Sequence, residues 1–157
     1  ANNYGNLCQR VLSFSEKNLD LIVPKSFKFN KEDLDILNNF SENYKNLIDN
    51  IDIQNINFYM NFIIDQLFLA NKYFNDQEPW KKKNDLNRLN SIIYTSLELI
   101  RKISILLYPV IPNSALKALN IFHIKETEIN IESIKNNEFL NTGMKLNKIN
   151  ILFDKIG

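Results

Sequence analysis

Histidine, cysteine and glycine are scarce in this sequence, and their scarcity argues against several kinds of functional site. The 157 residues include one histidine, one cysteine and three glycines. Cys8 has no second cysteine to pair with, which fits a reducing cytosol. The lone His123 leaves no histidine-based metal cluster to build, and we interpret it as a surface or helix-end residue. CxxC, P-loop and GxGxxG motifs are absent, so the sequence predicts no catalytic residue and no metal ligand in this chain.

A large excess of charge and a long apolar run are also missing. The formal net charge is +1, whereas a domain that binds nucleic acid mainly through its electric field carries a strong basic excess. Any RNA contact must therefore depend on a few local groups or on another part of the protein. No apolar run reaches the roughly 18 residues of a membrane span, and the polar start of the chain does not resemble a signal peptide. We expect a cytoplasmic protein without a membrane partner and, since the sequence lacks an initiator methionine, a fragment of a longer one.

Arginine is rare although lysine is abundant, and the three arginines are Arg10, Arg88 and Arg101. Where a positive charge alone suffices, this sequence has a lysine. The arginines are therefore candidates for positions that need the planar, forked guanidinium group. The alternative for Arg88 and Arg101 is a place on a solvated helix surface.

Apolar residues recur at three- and four-residue spacing along most of the chain, which is typical of amphipathic helices. The pattern predicts five helices, near residues 1–16, 31–51, 55–75, 85–107 and 112–121. Asn30 is predicted to cap the second helix, and Pro109 to end the fourth. The third helix has apolar residues on more than one face, so we expect it to be central. The expected core includes residues near the helix ends: Leu34, Ile51, Ile56 and Leu86.

The C-terminal part, residues 122–157, is less periodic than the rest. Its isoleucines at 129, 131 and 134, and its apolar residues at 149, 151 and 153, are consistent with extended segments or with a wrapping tail. We predict an all-α protein: an antiparallel helix bundle over residues 1–121 followed by an irregular C-terminal tail over 122–157, forming a single domain over residues 1–157.

Asn6 and Arg10 are a candidate pair for RNA recognition. They are four positions apart on a predicted helix, so their side chains lie on one face, one turn apart. An amide and a guanidinium together offer donors and an acceptor that suit the edge of an unstacked base in a single-stranded loop. Two solvated surface residues are the alternative, because polar pairs at this spacing are common.

Trp80 is the only tryptophan, and it stands between Pro79 and three lysines at 81–83. A rigid ring in a short turn with positive charge beside it suits base stacking near phosphates. The alternative is a core anchor beneath a loop, which is the more common use of tryptophan. The lysines are equally consistent with a solvated turn.

Four segments together resemble the anticodon-binding domain of methionyl-tRNA synthetase, a class I aminoacyl-tRNA synthetase. They are residues 5–10 (GNLCQR), 78–81 (EPWK), 105–112 (ILLYPVIP) and the ending 152–156 (LFDKI). The resemblance extends over nearly the whole chain, and the order and spacing of the segments carry it. The ending departs from the family pattern, with Asp154 where proline is usual and Lys155 where arginine is usual.

The resemblance implies a function for these residues. Asn6 and Arg10 would bind the first base of the CAU anticodon of methionine tRNA, Trp80 would stack on the anticodon, and Pro79 would orient Trp80. The parent enzyme would join methionine to its tRNA using ATP and Mg. Its catalytic domain, with HIGH-like and KMSKS-like motifs, would lie outside this chain, which contains neither. No cofactor is expected in this chain.

Two other interpretations remain open from the sequence. One is a helical protein-interaction module that shares only the bundle, and the other is the equivalent domain of a related class I synthetase. A basic, concave patch that unites Asn6, Arg10 and Trp80 would favour RNA binding. Burial of Trp80 in the core, with Asn6 on the opposite side, would favour the interaction module.

Overall fold

Five α-helices form the protein in the computed structural model, which describes residues 2–52 and 54–148. The helices are α1 (Asn2–Leu19), α2 (Lys31–Asp52), α3 (Ile56–Gln77), α4 (Leu86–Leu107) and α5 (Pro112–Ile121). Over the described residues there is no strand, only an isolated antiparallel bridge between Ile22 and Lys145. The predicted all-α bundle of about five helices is confirmed. The division into residues 1–121 and 122–157 stays a prediction, because residues 149–157 lie outside the described part.

Side-chain caps explain why most helices begin where they do. The Asn30 side chain accepts a hydrogen bond from the backbone N–H of Asp33, and the Asp33 carboxylate accepts one from the N–H of Asn30, both at 3.0 Å. This reciprocal pair confirms Asn30 as the cap of α2. Asn55 and Asp85 also cap their helices, α3 and α4. Each side chain accepts a hydrogen bond from the backbone N–H three residues further on. Pro112 occupies the first turn of α5, where its missing N–H costs nothing.

The central helix is α4, and the expectation that the third helix would be central is wrong. Every residue of α4 from Ser91 to Leu107 is buried, and α4 packs against α1, α2, α3 and α5. By contrast, α3 leaves Ile64 and Phe68 more than half exposed on its outer face. The difference arises because the C-terminal segment covers the remaining side of α4, whereas no described element covers the outer side of α3.

Four of the expected core residues are exposed, each for a local reason. Ile56 and Leu86 are the first residues of α3 and α4, where the helix extends beyond its packed part, and they are 58% and 65% exposed. Leu34 points outward because Asp33, one position earlier, is buried and faces inward to Arg88, which is itself partly exposed. Ile51 lies in the last turn of α2. The first helix also continues three residues further than predicted, to Leu19.

The C-terminal segment wraps over the bundle as far as it is described. It contains two short 3-10 turns, Glu126–Glu128 and Ile131–Lys135. Further on, Met144 and Leu146 exchange backbone hydrogen bonds with residues 21 and 23, in the connection after α1. Gly143 makes this turn with φ +81°, a conformation that strains residues with a side chain. The expected positions 149, 151 and 153 and the LFDKI ending lie outside the described residues.

A buried charged cluster on α4 holds this segment in place. Arg101 forms a forked pair with Glu98 at 2.8 and 3.2 Å and donates to the carbonyl oxygens of Ser133 and Asn136. Lys102 donates to the carbonyl oxygen of Ile134 at 2.8 Å. These cations therefore bind carbonyl groups in and just after the second 3-10 turn and hold that turn against α4. Burial, and next the charge of Arg101, lower the pKa of Lys102 to about 7, against the opposing effect of Glu98.

The described helices do not include a membrane span. None combines the length and the hydropathy needed to cross a bilayer.

Candidate nucleic-acid interface

The first helix fixes the positions of Asn6 and Arg10. Its buried stripe leaves Asn6 exposed and Arg10 partly exposed on the other side. The buried residues of this stripe are Tyr4, Leu7, Cys8, Val11 and Leu12. The Tyr4 hydroxyl lies 2.6 Å from Ser104 Oγ on α4, so the start of α1 is anchored to the centre of the bundle. Burial raises the pKa of the Cys8 thiol, which keeps this lone cysteine protonated and unreactive.

Three residues of α3 hold the Arg10 guanidinium. Its terminal nitrogens donate to the side-chain oxygens of Asn71, at 3.4 Å, and Asn75, and its Cζ lies 5.1 Å from the centre of the Phe74 ring. Asn71 in turn donates to the backbone carbonyls of Leu67 and Asn3, so its oxygen is directed at Arg10. Both acceptors are neutral amides. They orient the guanidinium without cancelling its charge and leave other N–H donors available to a ligand.

Trp80 is presented by a 3-10 turn, Pro79–Lys81, between α3 and α4. Glu78 enters this turn in the left-handed conformation with φ 48°, and Pro79 is buried beneath it. The backbone N–H groups of Lys81 and Lys82 close the turn on the carbonyls of Glu78 and Pro79, at 2.9 and 3.0 Å. Trp80 itself is 43% exposed. The interaction-module alternative expects this ring in the core, and the observed exposure argues against it.

Phe74 brings Arg10 and Trp80 together. The Trp80 and Phe74 rings meet edge to face with their centres 6.1 Å apart, while the Arg10 guanidinium lies over the same Phe74 ring. Thus α1 and the turn after α3, about 70 residues apart in sequence, meet at one place. Asn6 is exposed one helical turn before Arg10. Trp80 and Arg10 therefore lie around one aromatic residue, Pro79 precedes Trp80 in the turn, and Asn6 lies one turn before Arg10 on α1.

The three lysines after Trp80 differ in their surroundings. Lys81 pairs with Glu78 at 2.9 Å, and Lys82 donates to the backbone carbonyl of Gln77 at 3.0 Å. Lys83 is exposed and, in the described part of the chain, has no hydrogen-bond or ion-pair partner. Positive charge is therefore available beside Trp80 from Lys82, Lys83 and Arg10, whereas the charge of Lys81 is paired with Glu78.

A buried group of polar residues supports this end of the bundle, and the sequence pattern did not reveal it as a group. Arg88 forms a forked pair with Asp33, at 2.9 and 3.0 Å, and also donates to Gln77 at 2.6 Å. The Tyr73 hydroxyl donates to the same carboxylate. Burial first, and then the charge of Asp33, raise the pKa of Tyr73, so it stays a donor. The scarcity of arginine did single out Arg88, whereas Asp33 resembled an ordinary acid in the first turn of a helix.

The described part of the chain shows no cluster of metal-binding side chains. Residues 2–52 and 54–148 contain no group of three or more His, Cys, Asp and Glu side chains arranged to hold a metal ion. His123 follows α5, is exposed, and its Nε2 lies 2.7 Å from the carbonyl oxygen of Lys145. This agrees with its interpretation as a surface residue at a helix end.

The family model and the relatives that this chain matches all belong to one family. Residues 23–157 match the model of the "Anticodon binding domain of methionyl tRNA ligase". The chain is 35% identical over 133 residues to a methionine–tRNA ligase of Mycobacterium leprae, covering 82% of this chain and 25% of that protein. It is 32% identical over 163 residues to the Rickettsia typhi enzyme, covering 99% of this chain and 32% of that protein. The second alignment includes α1, which the family model does not.

Solved structures support the same family. The chain resembles the apo form of Mycobacterium tuberculosis methionyl-tRNA synthetase with a TM-score of 0.86 and 29% identity, over 96% of this chain and 31% of that one. A structure of the same synthetase bound by methionyl-adenylate matches equally well over 30% of its length. This chain thus spans about a quarter to a third of the proteins it matches. It belongs to the family of anticodon-binding domains of methionyl-tRNA ligases.

Proposed function

We propose that this domain binds the CAU anticodon of methionine tRNA through Asn6, Arg10 and Trp80. Asn6 and Arg10 contact the edge of the first anticodon base, and the exposed face of Trp80 stacks on an unstacked base of the loop. Pro79 fixes the turn that orients Trp80. The observation that carries this proposal is the shared packing of Arg10 and Trp80 on Phe74, which places a forked donor and a stacking surface side by side.

The chemistry of the two groups fits a single-stranded loop. Bases in such loops expose both their faces and their hydrogen-bonding edges, and proteins bind them by stacking and by edge contacts. No carboxylate compensates the charge of Arg10 at its two hydrogen-bond acceptors, because Asn71 and Asn75 are neutral. The net charge of +1 means that these contacts, rather than a broad basic surface, provide the specificity, so the salt dependence of binding should be shallow.

The longer protein is proposed to be a methionine–tRNA ligase, as its relatives are named. It would join methionine to its tRNA using ATP, with Mg at the catalytic site. That chemistry belongs to a catalytic domain outside this chain, and the present domain contributes tRNA recognition. A cytoplasmic location follows from the same assignment, because cytoplasmic translation consumes the product.

Arg10→Lys tests the assignment of the base contact. Lysine keeps the positive charge but loses the fork, so it should reduce discrimination at the first anticodon base more than overall affinity. Binding is measured with anticodon stem-loops that carry C or another base at this position, using the full-length enzyme if the isolated domain binds weakly. We expect the preference for C to fall by about 1–3 kcal/mol, the usual contribution of a bidentate base contact.

Gln9→Ala is the matched control for this experiment. Gln9 precedes Arg10 on α1 but is exposed on a different side and donates to Ser13. Its replacement should leave both affinity and base preference unchanged. An unchanged preference for C in Arg10→Lys would exclude Arg10 as a contact to the base.

A further inference from the structure

The connection between α3 and α4, residues 78–85, carries Trp80, and its shape depends on how its two ends are held. It leaves α3 through Glu78 in the left-handed conformation. It enters α4 at Asp85, whose side chain accepts from the backbone N–H of Arg88 at 3.2 Å. Between these points lies the 3-10 turn with Trp80 at its centre. A small shift of α4 relative to α3 would therefore displace the indole ring.

Arg88 connects the two ends of this connection directly. From the first turn of α4 its Nη2 reaches the side-chain oxygen of Gln77, the last residue of α3, at 2.6 Å. The backbone carbonyl of Gln77 also accepts from Lys82, on the other side of Trp80, at 3.0 Å. Gln77 is thus held by two cations that follow Trp80 in the sequence, Lys82 within the connection and Arg88 on α4.

Asp33 holds Arg88 in a fixed position. Its side chain is fully buried, and both its oxygens are paired with Arg88. It also accepts from the Tyr73 hydroxyl on α3 and from the backbone of Asn30. Helices α2, α3 and α4 are therefore joined at one carboxylate. Forked, charge-assisted hydrogen bonds of this kind define geometry as well as energy.

We propose that Arg88 and Gln77 are positioning residues for Trp80, which fix its stacking surface without contacting RNA themselves. Asp33 holds Arg88, Arg88 holds Gln77, and Gln77 sets the direction in which the chain leaves α3. The consequence for tRNA affinity rests on the proposed function. The consequence for the position of the Trp80 ring does not depend on that function.

The test uses two variants and one matched control. Gln77→Met removes the contact to Arg88 and keeps the Arg88–Asp33 pair. Arg88→Lys replaces the forked guanidinium group, which contacts both Asp33 and Gln77, with a single ammonium group. The control is Arg101→Lys, which disrupts another buried arginine–carboxylate pair on the same helix, about 20 Å further along its axis. Because Trp80 is the only tryptophan, its emission maximum and acrylamide quenching report on this position alone.

We expect both Gln77→Met and Arg88→Lys to shift the emission to longer wavelength and increase quenching, with no change in Arg101→Lys. Unchanged emission in both variants would overturn the proposal, and so would an equal change in the control, since that would indicate general loosening. Arg88→Lys removes a partner of a buried carboxylate and could unfold the domain, but Gln77→Met alone suffices for this test.

RNA binding supplies the second readout. Gln77→Met should weaken binding of the CAU stem-loop by about 5- to 20-fold, and the loss should vanish in a Trp80→Ala background if the two act as one unit. An equal loss in both backgrounds would contradict action through Trp80. If the variants show the expected fluorescence changes but the unmodified protein does not bind the stem-loop, the proposed function fails and the positioning of Trp80 stands.

Discussion

Trp80→Ala separates the contribution of one ring to RNA binding from its contribution to folding. The indole is 43% exposed, and its described ring contact is an edge-to-face contact with Phe74, with the ring centres 6.1 Å apart. Losing such an aromatic pair costs about 0.5–1.5 kcal/mol of stability beyond the buried area. A domain of this size is usually stable by about 5–15 kcal/mol. The variant should therefore remain folded, and its affinity can be compared with that of the unmodified protein.

The expected loss in RNA affinity is measured separately from the loss in stability. Removing one stacked base contact by alanine substitution usually costs about 1–3 kcal/mol, which corresponds to roughly 5- to 150-fold in Kd. The assay is a titration of a CAU anticodon stem-loop followed by fluorescence anisotropy of a labelled RNA. In the unmodified protein, the emission of Trp80 should also change as the base stacks on it.

Trp80→Phe is the control, because it retains a ring on the same turn. It should keep most of the affinity if stacking is the interaction, since any aromatic face can stack on a base. Equal binding by Trp80→Ala and the unmodified protein would refute a stacking role, provided that urea unfolding shows both to be folded. Equal losses in Trp80→Ala and Trp80→Phe would point instead to the indole N–H as the group that matters.

Three further predictions address the charge on Arg10, the buried lysine and catalysis. Asn75→Asp should place a carboxylate on Arg10 and weaken stem-loop binding by about 1 kcal/mol without lowering stability, and equal affinity would show that the charge of Arg10 is not used. Lys102 has a pKa of about 7 in the fold, below its ordinary value, so the unfolded chain binds more protons above pH 7. Stability should therefore rise by about 1–3 kcal/mol between pH 6 and 9 relative to Lys102→Met, as measured by urea unfolding, and parallel pH profiles would contradict this. The isolated domain should show no methionine-dependent ATP–pyrophosphate exchange, and turnover above a no-enzyme blank would contradict its assignment as a recognition domain.

Helix locations could be predicted because the residues that begin and end helices act locally. Asn30 caps α2 through its own side chain, and Pro112 lies in the first turn of α5. Neither depends on the rest of the fold. The central position of α4 could not be predicted in this way. It depends on the C-terminal segment, which is less periodic than the helices and whose second 3-10 turn is held by Arg101 and Lys102.

The buried charged residues are the feature of the structure that the sequence pattern predicted least well. A periodic pattern assigns charged positions to the surface, so Asp33 resembled a first-turn acid, and nothing in the pattern distinguished Glu98. Both are fully buried beside an arginine. The one useful signal was composition, because a sequence that uses lysine freely keeps arginine at positions that need a fork. All three arginines do make more than one hydrogen bond.

The candidate site was predictable in its outer residues but not in its supporting ones. Asn6, Arg10 and Trp80 belong to short motifs, whereas Asn71 and Asn75 are two among many asparagines and carry no signal in a sequence so rich in them. Their significance arises only from the packing of α1 on α3, which places neutral acceptors beside Arg10.

The two kinds of arginine environment bear on how a domain with a net charge of +1 would bind RNA selectively under the proposed function. Arg88 and Arg101 each pair with a buried carboxylate, so their charges are cancelled within the fold. Arg10 is held by amides and by the face of Phe74, so its charge remains available to a ligand. A fold that cancels its structural charges and leaves one oriented guanidinium beside a half-exposed indole concentrates its attraction for RNA at a single place. Affinity should then depend strongly on the residues at that place and weakly on salt.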